Sequence, residues 1–304
     1  MIDPTRLADA IAGRVRDALA CGALQPIETD ETTLEDADVR FVVRRVSTLA
    51  RKPGAGAGLP KDDARPNPFQ PPEPDLTVGD VSPTHVAVLN KYPVVPRHLL
   101  VVTREFADQD ELLDRADFAA FAACLRGVDG LAFYNGGREA GASQAHKHLQ
   151  LVPLPLAPGP WSVPMEALFD AWAGAGRTAR LLRLPFANAF APLDRSLFDE
   201  PDAADRLADA YLAMLDACGL RDEAANDDYA PAANEPQRQT GPYNLLLTRR
   251  WMLLVPRSRE QFGTISVNGL GFAGSLFVRD AAEMQRLREA GPMNALREVA
   301  RPRS

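Results

Sequence analysis

The chain has 304 residues, with 34 Lys and Arg against 41 Asp and Glu, for a formal net charge of −7. That balance argues against a broad nucleic-acid-binding surface, which needs a basic face, and leaves room for a nucleotide pocket with local positive potential. Hydrophobic residues at 46% and charged residues at 25% are usual for a globular protein, three scattered cysteines suggest a reducing, cytoplasmic setting, and no apolar run approaches the roughly 20 residues of a membrane span.

Residues 4–19 read as a helix: Asp3 is suited to the N-cap, Pro4 to the first helical position, and Leu7, Ile11, Val15 and Leu19 form an apolar stripe. Residues 39–46 read as a strand. Residues 51–75 hold ten Pro or Gly in 25 positions, and the span 51–66 is expected to be a mobile loop. Residues 84–91 and 98–104 read as strands joined by a turn marked by Pro93 and Pro96, a pattern that favours an antiparallel hairpin. Residues 112–127 read as a helix with Phe118, Phe121, Ala122 and Leu125 inward, ended by Gly127 and Gly130, and 131–134 as a strand. His85 and His98, on or beside strands, are read as structural.

The most informative stretch follows. Asn135 opens a glycine-rich segment through Gly136, Gly137 and Gly141 to Ala142, Ser143 and Gln144, whose backbone N–H groups are suited to an anion. Two of the four histidines, His146 and His148, come next, and Pro153 and Pro155 disfavour a helix. Residues 145–152 therefore read as a strand with His146, His148, Gln150 and Val152 on one face and Lys147, Leu149 and Leu151 on the other. A neutral imidazole is a competent nucleophile and base. A zinc site would need further ligands that the scattered cysteines do not supply, so no metal site is expected.

Residues 157–200, with Trp161 and Trp172, carry no clear pattern. Residues 203–218 read as a helix with Leu207, Ala210, Tyr211, Met214, Leu215 and Cys218 along one face, and 222–242 as an exposed loop. Residues 243–256 read as a hairpin turning at Arg249 and Arg250, and about 280–299 as one last helix with Met284, Leu287 and Leu296 inward.

The run from His146 to Val152 resembles the histidine-triad signature. Its context, Tyr134-Asn135 through Gly141-Ala142-Ser143-Gln144, is similar to the nucleotidyltransferase branch of diadenosine tetraphosphate phosphorylases, also called ATP adenylyltransferases. The resemblance runs over roughly residues 40–280. It implies an α+β fold, a histidine-triad-like, largely antiparallel sheet flanked by helices. We expect one catalytic domain over 1–304, with a core at about 39–156 and a C-terminal sheet and helix extension at about 240–300.

The resemblance also implies roles. His148 is the nucleophile, its second ring nitrogen held by the His146 carbonyl, and Gln150 donates to a non-bridging phosphate oxygen. Lys52 on the loop reaches the polyphosphate. Asn90, Lys91, Asn135, Gly141, Ala142, Ser143, Gln144, Asn268, Gly269 and Leu270 contact substrate, with further contacts at Ser275 and Arg279, where the family carries Met and Lys. The implied reaction cleaves diadenosine tetraphosphate with phosphate to ATP and ADP, reversibly, through an adenylyl-histidine. No covalently bound cofactor is implied, with Mg2+ accompanying the substrate phosphates. The partners expected are these small molecules, not nucleic acid or membrane, acting on a monomer or weak oligomer. The competing readings are a dinucleoside polyphosphate hydrolase, a hexose-1-phosphate nucleotidylyltransferase, for which Lys147 replaces a frequent Pro, and a nucleotide sensor without turnover.

Overall fold

The computed structural model describes residues 1–46, 67–169, 178–221 and 237–303. The loop expected over 51–66, with Arg51 and Lys52, and Trp172 lie outside the described residues. Helix α1 (Pro4–Ala20) begins as its sequence dictates, with the Asp3 carboxylate accepting from the Thr5 N–H at 2.9 Å and Pro4 in the first turn. Its buried face is Leu7, Ile11 and Ala18. Leu19, expected inward, is instead 48% exposed, because steps of four residues drift around a helix of about 3.6 residues per turn and the neighbouring Ala18 takes the inward position. Strands β1 (Thr29–Asp36) and β2 (Val39–Val46) form a hairpin, with Ala37 and Asp38 at positive φ, as a two-residue turn of matching twist requires. The sequence reading found β2 and missed β1, whose run Thr29-Asp30-Glu31-Thr32-Thr33 looks like a polar loop.

The large sheet is built from β3 (Thr77–Asp80), β4 (His85–Leu89), β5 (Leu99–Thr103), β6 (Gly130–Gly136), β7 (His148–Pro153), β8 (Ala189–Pro192), β9 (Tyr243–Leu247) and β10 (Trp251–Pro256), in the order β3-β4-β5-β7-β6-β9-β10-β8. Every neighbouring pair is antiparallel. The 84–104 and 243–256 hairpins form as expected. Helices α2 (Arg115–Gly127) and α3 (Ala203–Ala217) pack with α1 on one face. Both begin later than, or close to, the expected residues: α2 starts at Arg115 because Asp114 and Asp117 form a reciprocal capping box there.

Alternation along the central strands sends residues to two cores. Ala132, Tyr134, Leu149, Leu151, Leu245 and Leu247 face the three helices. Leu131, Phe133, Val152, Leu246 and Leu253 face the other side. That side is covered by a small sheet in which β13 (Ser275–Val278) lies parallel to β2, and by the C-terminal elements. Those elements are a short β11 (Gln261–Phe262) and β12 (Ile265–Ser266) pair, the single-turn helix α4 (Gly269–Phe272), α5 (Ala281–Ala290) and α6 (Pro292–Val299). The last helix is thus two, not one. Gly291 turns the chain at φ +85°, Pro292 cannot continue a helix, and the Asp36 carboxylate accepts from the Met293 N–H at 2.8 Å. Met284, Leu287 and Leu296 are buried across the break as the pattern indicated. Because both faces of the central strands are covered, Tyr243–Leu247 and Trp251–Pro256 read as continuous rather than alternating apolar runs.

Candidate active site

The His strand starts later than expected. β7 begins at His148, and His146 stands before it in an isolated bridge to Asp108. The expected faces are correct: the Lys147 ammonium donates to the Leu112 carbonyl at 3.0 Å and meets the buried Asp117 carboxylate at 3.2 Å on the helical side. His148 and Gln150 point the other way, into a cavity of about 460 Å³ between the sheet and the C-terminal elements.

A side chain opens this end of the sheet. β6 and β7 pair as far as Phe133 opposite Gln150 and then separate. The buried Gln109 amide stands between them, donating to the Asn135 carbonyl at 2.9 Å and accepting from the His148 N–H at 2.9 Å. An amide side chain thus replaces a ladder bond, and both strand ends keep their hydrogen bonds where the strands diverge. Nothing in the run Asp108-Gln109-Asp110 signals this, so the sequence reading missed Gln109.

The histidine geometry fixes where the protons are. His148 Nδ1 lies 2.9 Å from the His146 carbonyl oxygen. A carbonyl only accepts, so Nδ1 carries the hydrogen and Nε2 holds the lone pair. His146 is held by its ring as well. Its Nδ1 accepts from Asn67 Nδ2 at 2.8 Å, and its Nε2–H donates to the Thr103 carbonyl at 2.8 Å. Beside the main-chain carbonyl that faces His148, the His146 side chain ties residue 67 to the end of β5. Phe69 packs its ring 5.7 Å from both His146 and His148, so the Asn67-Pro68-Phe69 segment helps build the site.

Burial sets the charge state. Desolvation pushes the His148 pKa down to about 4, only partly offset by the His146 carbonyl. The ring is therefore neutral near pH 7, and protonation at Nε2, which would remove the lone pair, occurs only as pH falls toward that depressed value. Single-turnover covalent labelling of His148 is accordingly expected to hold constant from about pH 8 to about pH 5 and to fall below that. A midpoint near the ordinary histidine value of 6.5 would contradict the enclosed, neutral ring.

The glycine loop is anchored from below. Gly141, at φ +91°, lies so close to Asn268 that a Cβ would sit 2.8 Å from the Asn268 Cβ, which accounts for the glycine. Asn244 donates to the Ala140 carbonyl and to Asn135 Oδ1, each at 2.8 Å, and the buried Arg257 donates to Asn244 Oδ1 at 2.6 Å. Arg257 also satisfies the Val267 and Arg259 carbonyls, at 2.8 Å each. Its role, unforeseen in the sequence, is to join the loop to the C-terminal elements. The N–H groups of Gly141 and Ala142 are used inside the turn, on Arg138 and Gly137. Ser143 and Gln144 follow this turn and line the cavity.

The structure brings most of the expected substrate-contact residues together. Asn90, Lys91, Asn135, Gly141, Ser143, Gln144, His148, Gln150, Asn268 and Leu270 all line the cavity, with an apolar wall from Val88, Leu89, Val95 and Phe277. His98, read as structural, lines it too and contacts Gln150. Lys91 is paired with Glu73 at 2.7 Å, which raises its pKa through that hydrogen bond. Gly269 lies behind the lining, its N–H donating to Asn135 Oδ1 at 3.0 Å. Two further expected residues stand outside the cavity lining. Ser275 is buried and accepts from Arg44 at 2.7 Å, as part of the packing between β2 and β13. Arg279 pairs with Glu283, whose carboxylate also accepts from the Arg279 N–H at 2.8 Å just before the Asp280 N-cap of α5, and it is not among the residues lining the cavity. Among the described residues no group of three or more His, Cys, Asp or Glu is arranged to hold a metal ion, and no helix is long and apolar enough to cross a membrane.

Comparison with known proteins shows the family of the chain. The Ap4A phosphorylase N-terminal domain family matches residues 1–171, and the ATP adenylyltransferase C-terminal domain family matches residues 182–302. The chain belongs to the Ap4A phosphorylase family. It is an enzyme of the ATP adenylyltransferase class. Diadenosine 5',5'''-P1,P4-tetraphosphate phosphorylase 2 of Saccharomyces cerevisiae is 30% identical over 291 residues, covering 88% of this chain and 86% of that protein. Protein APA1 of the same yeast is 26% identical over 304 residues, covering 94% and 91%. The crystal structure of yeast Ap4A phosphorylase Apa2 has a TM-score of 0.80 and 25% identity, covering all of both chains. The same yeast enzyme in complex with Ap4A scores 0.76. In this Ap4A phosphorylase family member the two family matches share one sheet, because β6 of the first pairs with β9 of the second.

Proposed function

We propose that the protein cleaves diadenosine tetraphosphate with inorganic phosphate, giving ATP and ADP, through an adenylyl group carried on His148. The observation that carries this reading is the His148 ring, with Nδ1–H held on the His146 carbonyl, which leaves the lone pair on Nε2 of a ring that lines the cavity. Membership of the family and a yeast relative named for this phosphorolysis support it.

In the first step Nε2 bonds to an α-phosphorus and the bond from that phosphorus to the bridging oxygen breaks, releasing ATP. The imidazole becomes cationic, and the His146 carbonyl facing Nδ1–H stabilises that charge. In the second step an oxygen of inorganic phosphate attacks the same phosphorus, the P–N bond breaks, and ADP leaves with the ring neutral again. The protein's task is to hold the reacting atoms in line and stabilise phosphoryl oxygens. Gln150 and the Ser143–Gln144 loop line the cavity beside His148, which supports this role for them. A magnesium ion brought in on the substrate phosphates would supply counter-charge there.

Incubation with the dinucleotide, with and without phosphate, tests the reading. ATP plus ADP formed only with phosphate supports it. ATP plus AMP formed without phosphate would make the enzyme a hydrolase, and binding without any product would make it a sensor.

A further inference from the structure

We propose that His98 is a positioning residue that turns the amide NH2 of Gln150 toward the substrate phosphate, through a one-way chain of hydrogen bonds starting at the Tyr92 main chain. The direction of each link follows from the one before it. A backbone N–H only donates, so the Tyr92 N–H, 3.1 Å from Asn90 Oδ1, fixes which end of the Asn90 amide is oxygen. The other end, Nδ2, lies 3.2 Å from His98 Nδ1 and can only donate, so Nδ1 is an acceptor and bears no hydrogen. A neutral ring then carries its hydrogen on Nε2, and burial, which pushes the His98 pKa down to about 4, keeps the ring neutral. His98 Nε2–H therefore donates to the atom 3.0 Å away, Gln150 Oε1. With its oxygen taken, Gln150 offers only N–H donors to the cavity that it lines beside His148.

The chemical consequence is specific. The wrong amide orientation would set a carbonyl oxygen against a non-bridging phosphate oxygen, and like partial charges would oppose the transition state. The relay removes that orientation without placing a charge near the nucleophile. Asn90 likewise becomes a positioning residue, because both ends of its amide are committed within the protein. That the group met by Gln150 is a phosphate rests on the proposed function; the direction of the chain does not.

Nitrogen-15 NMR of histidine-labelled wild-type protein tests the chain directly, since only four rings contribute. The signal lost in His98→Asn identifies residue 98. At neutral pH that ring is expected to be neutral, with its hydrogen on Nε2. Hydrogen on Nδ1, or a charged ring, overturns the proposal even if the enzyme phosphorolyses the dinucleotide. The kinetic test measures formation of adenylyl-His148 in a single turnover. His98→Leu is expected to slow it about tenfold or more while changing nucleotide Kd by less than about threefold. The double variant His98→Leu/Gln150→Leu should be no slower than Gln150→Leu alone, because His98 acts through Gln150. Additive losses, or a loss confined to Kd, reject the positioning role. Absence of any adenylyl transfer in the wild type would instead reject the proposed function, leaving the NMR result to stand alone.

Discussion

His148→Ala is expected to lower kcat by at least about 10⁴-fold while nucleotide binding persists. Covalent transfer needs a lone pair at the cavity, and among the described residues His148 Nε2 combines a lone pair beside Gln150 with a partner, the His146 carbonyl, that stabilises the charged ring. His146 cannot substitute. Its Nδ1 is occupied by Asn67 and its Nε2 by the Thr103 carbonyl. His98 cannot either, because Nε2 faces Gln150 and Nδ1 faces Asn90. The alanine variant keeps the cavity's apolar wall and the Ser143–Gln144 loop, so affinity is retained. The check combines steady-state turnover, equilibrium binding, and α-phosphate label trapped by rapid quench. Near-normal turnover in a preparation free of wild-type enzyme would remove His148 as nucleophile, and unlabelled wild-type protein would favour direct displacement.

Asp117→Ala is expected to cost roughly 3–5 kcal/mol of stability, the range for removing one partner of a buried ion pair. Asp117 is 1% exposed. It accepts from His85 Nε2 at 2.9 Å and from the Asp114 N–H at 2.9 Å, and it faces the Lys147 ammonium at 3.2 Å. Without it, Lys147 stays buried with the Leu112 carbonyl at 3.0 Å and Glu111 only at 3.8 Å. The α2 capping box is lost as well. Burial alone would raise the Asp117 pKa. The His85 hydrogen bond and the Lys147 charge outweigh it and hold the carboxyl below its ordinary 3.8. A depressed folded pKa means that this contribution is present above the unfolded value and is lost as pH falls through the folded one. Because Lys147 lies between His146 and His148, the strain should reach the site. Chemical denaturation measures the loss, and a change below about 1 kcal/mol would show that the carboxylate is dispensable.

The yield of the sequence varied with the range of the interaction. The His-Lys-His-Leu-Gln order, with a side-chain period of two, by itself puts His148 and Gln150 on one face of an extended strand and Lys147 on the other. Helix α1 announced itself through Asp3 and Pro4, and the paired hairpins through their turn residues. Where polar composition masked a strand, as in Thr29–Asp36, the periodic signal was absent and pairing with Val39–Val46 created the strand.

What the chain order determined by itself was local: which residues alternate, which cap, which turn, and therefore which imidazole faces the same way as Gln150. Tertiary structure decided everything that needed two distant segments to meet. It put Gln109 between diverging strands, tied the glycine loop to Arg257, carried Ser275 and Arg279 away from the cavity, and set His98 against Gln150 across 52 residues of chain. Side-chain period is imposed by backbone geometry within a few residues. Hydrogen-bond direction, burial and proton position depend on neighbours that only folding supplies.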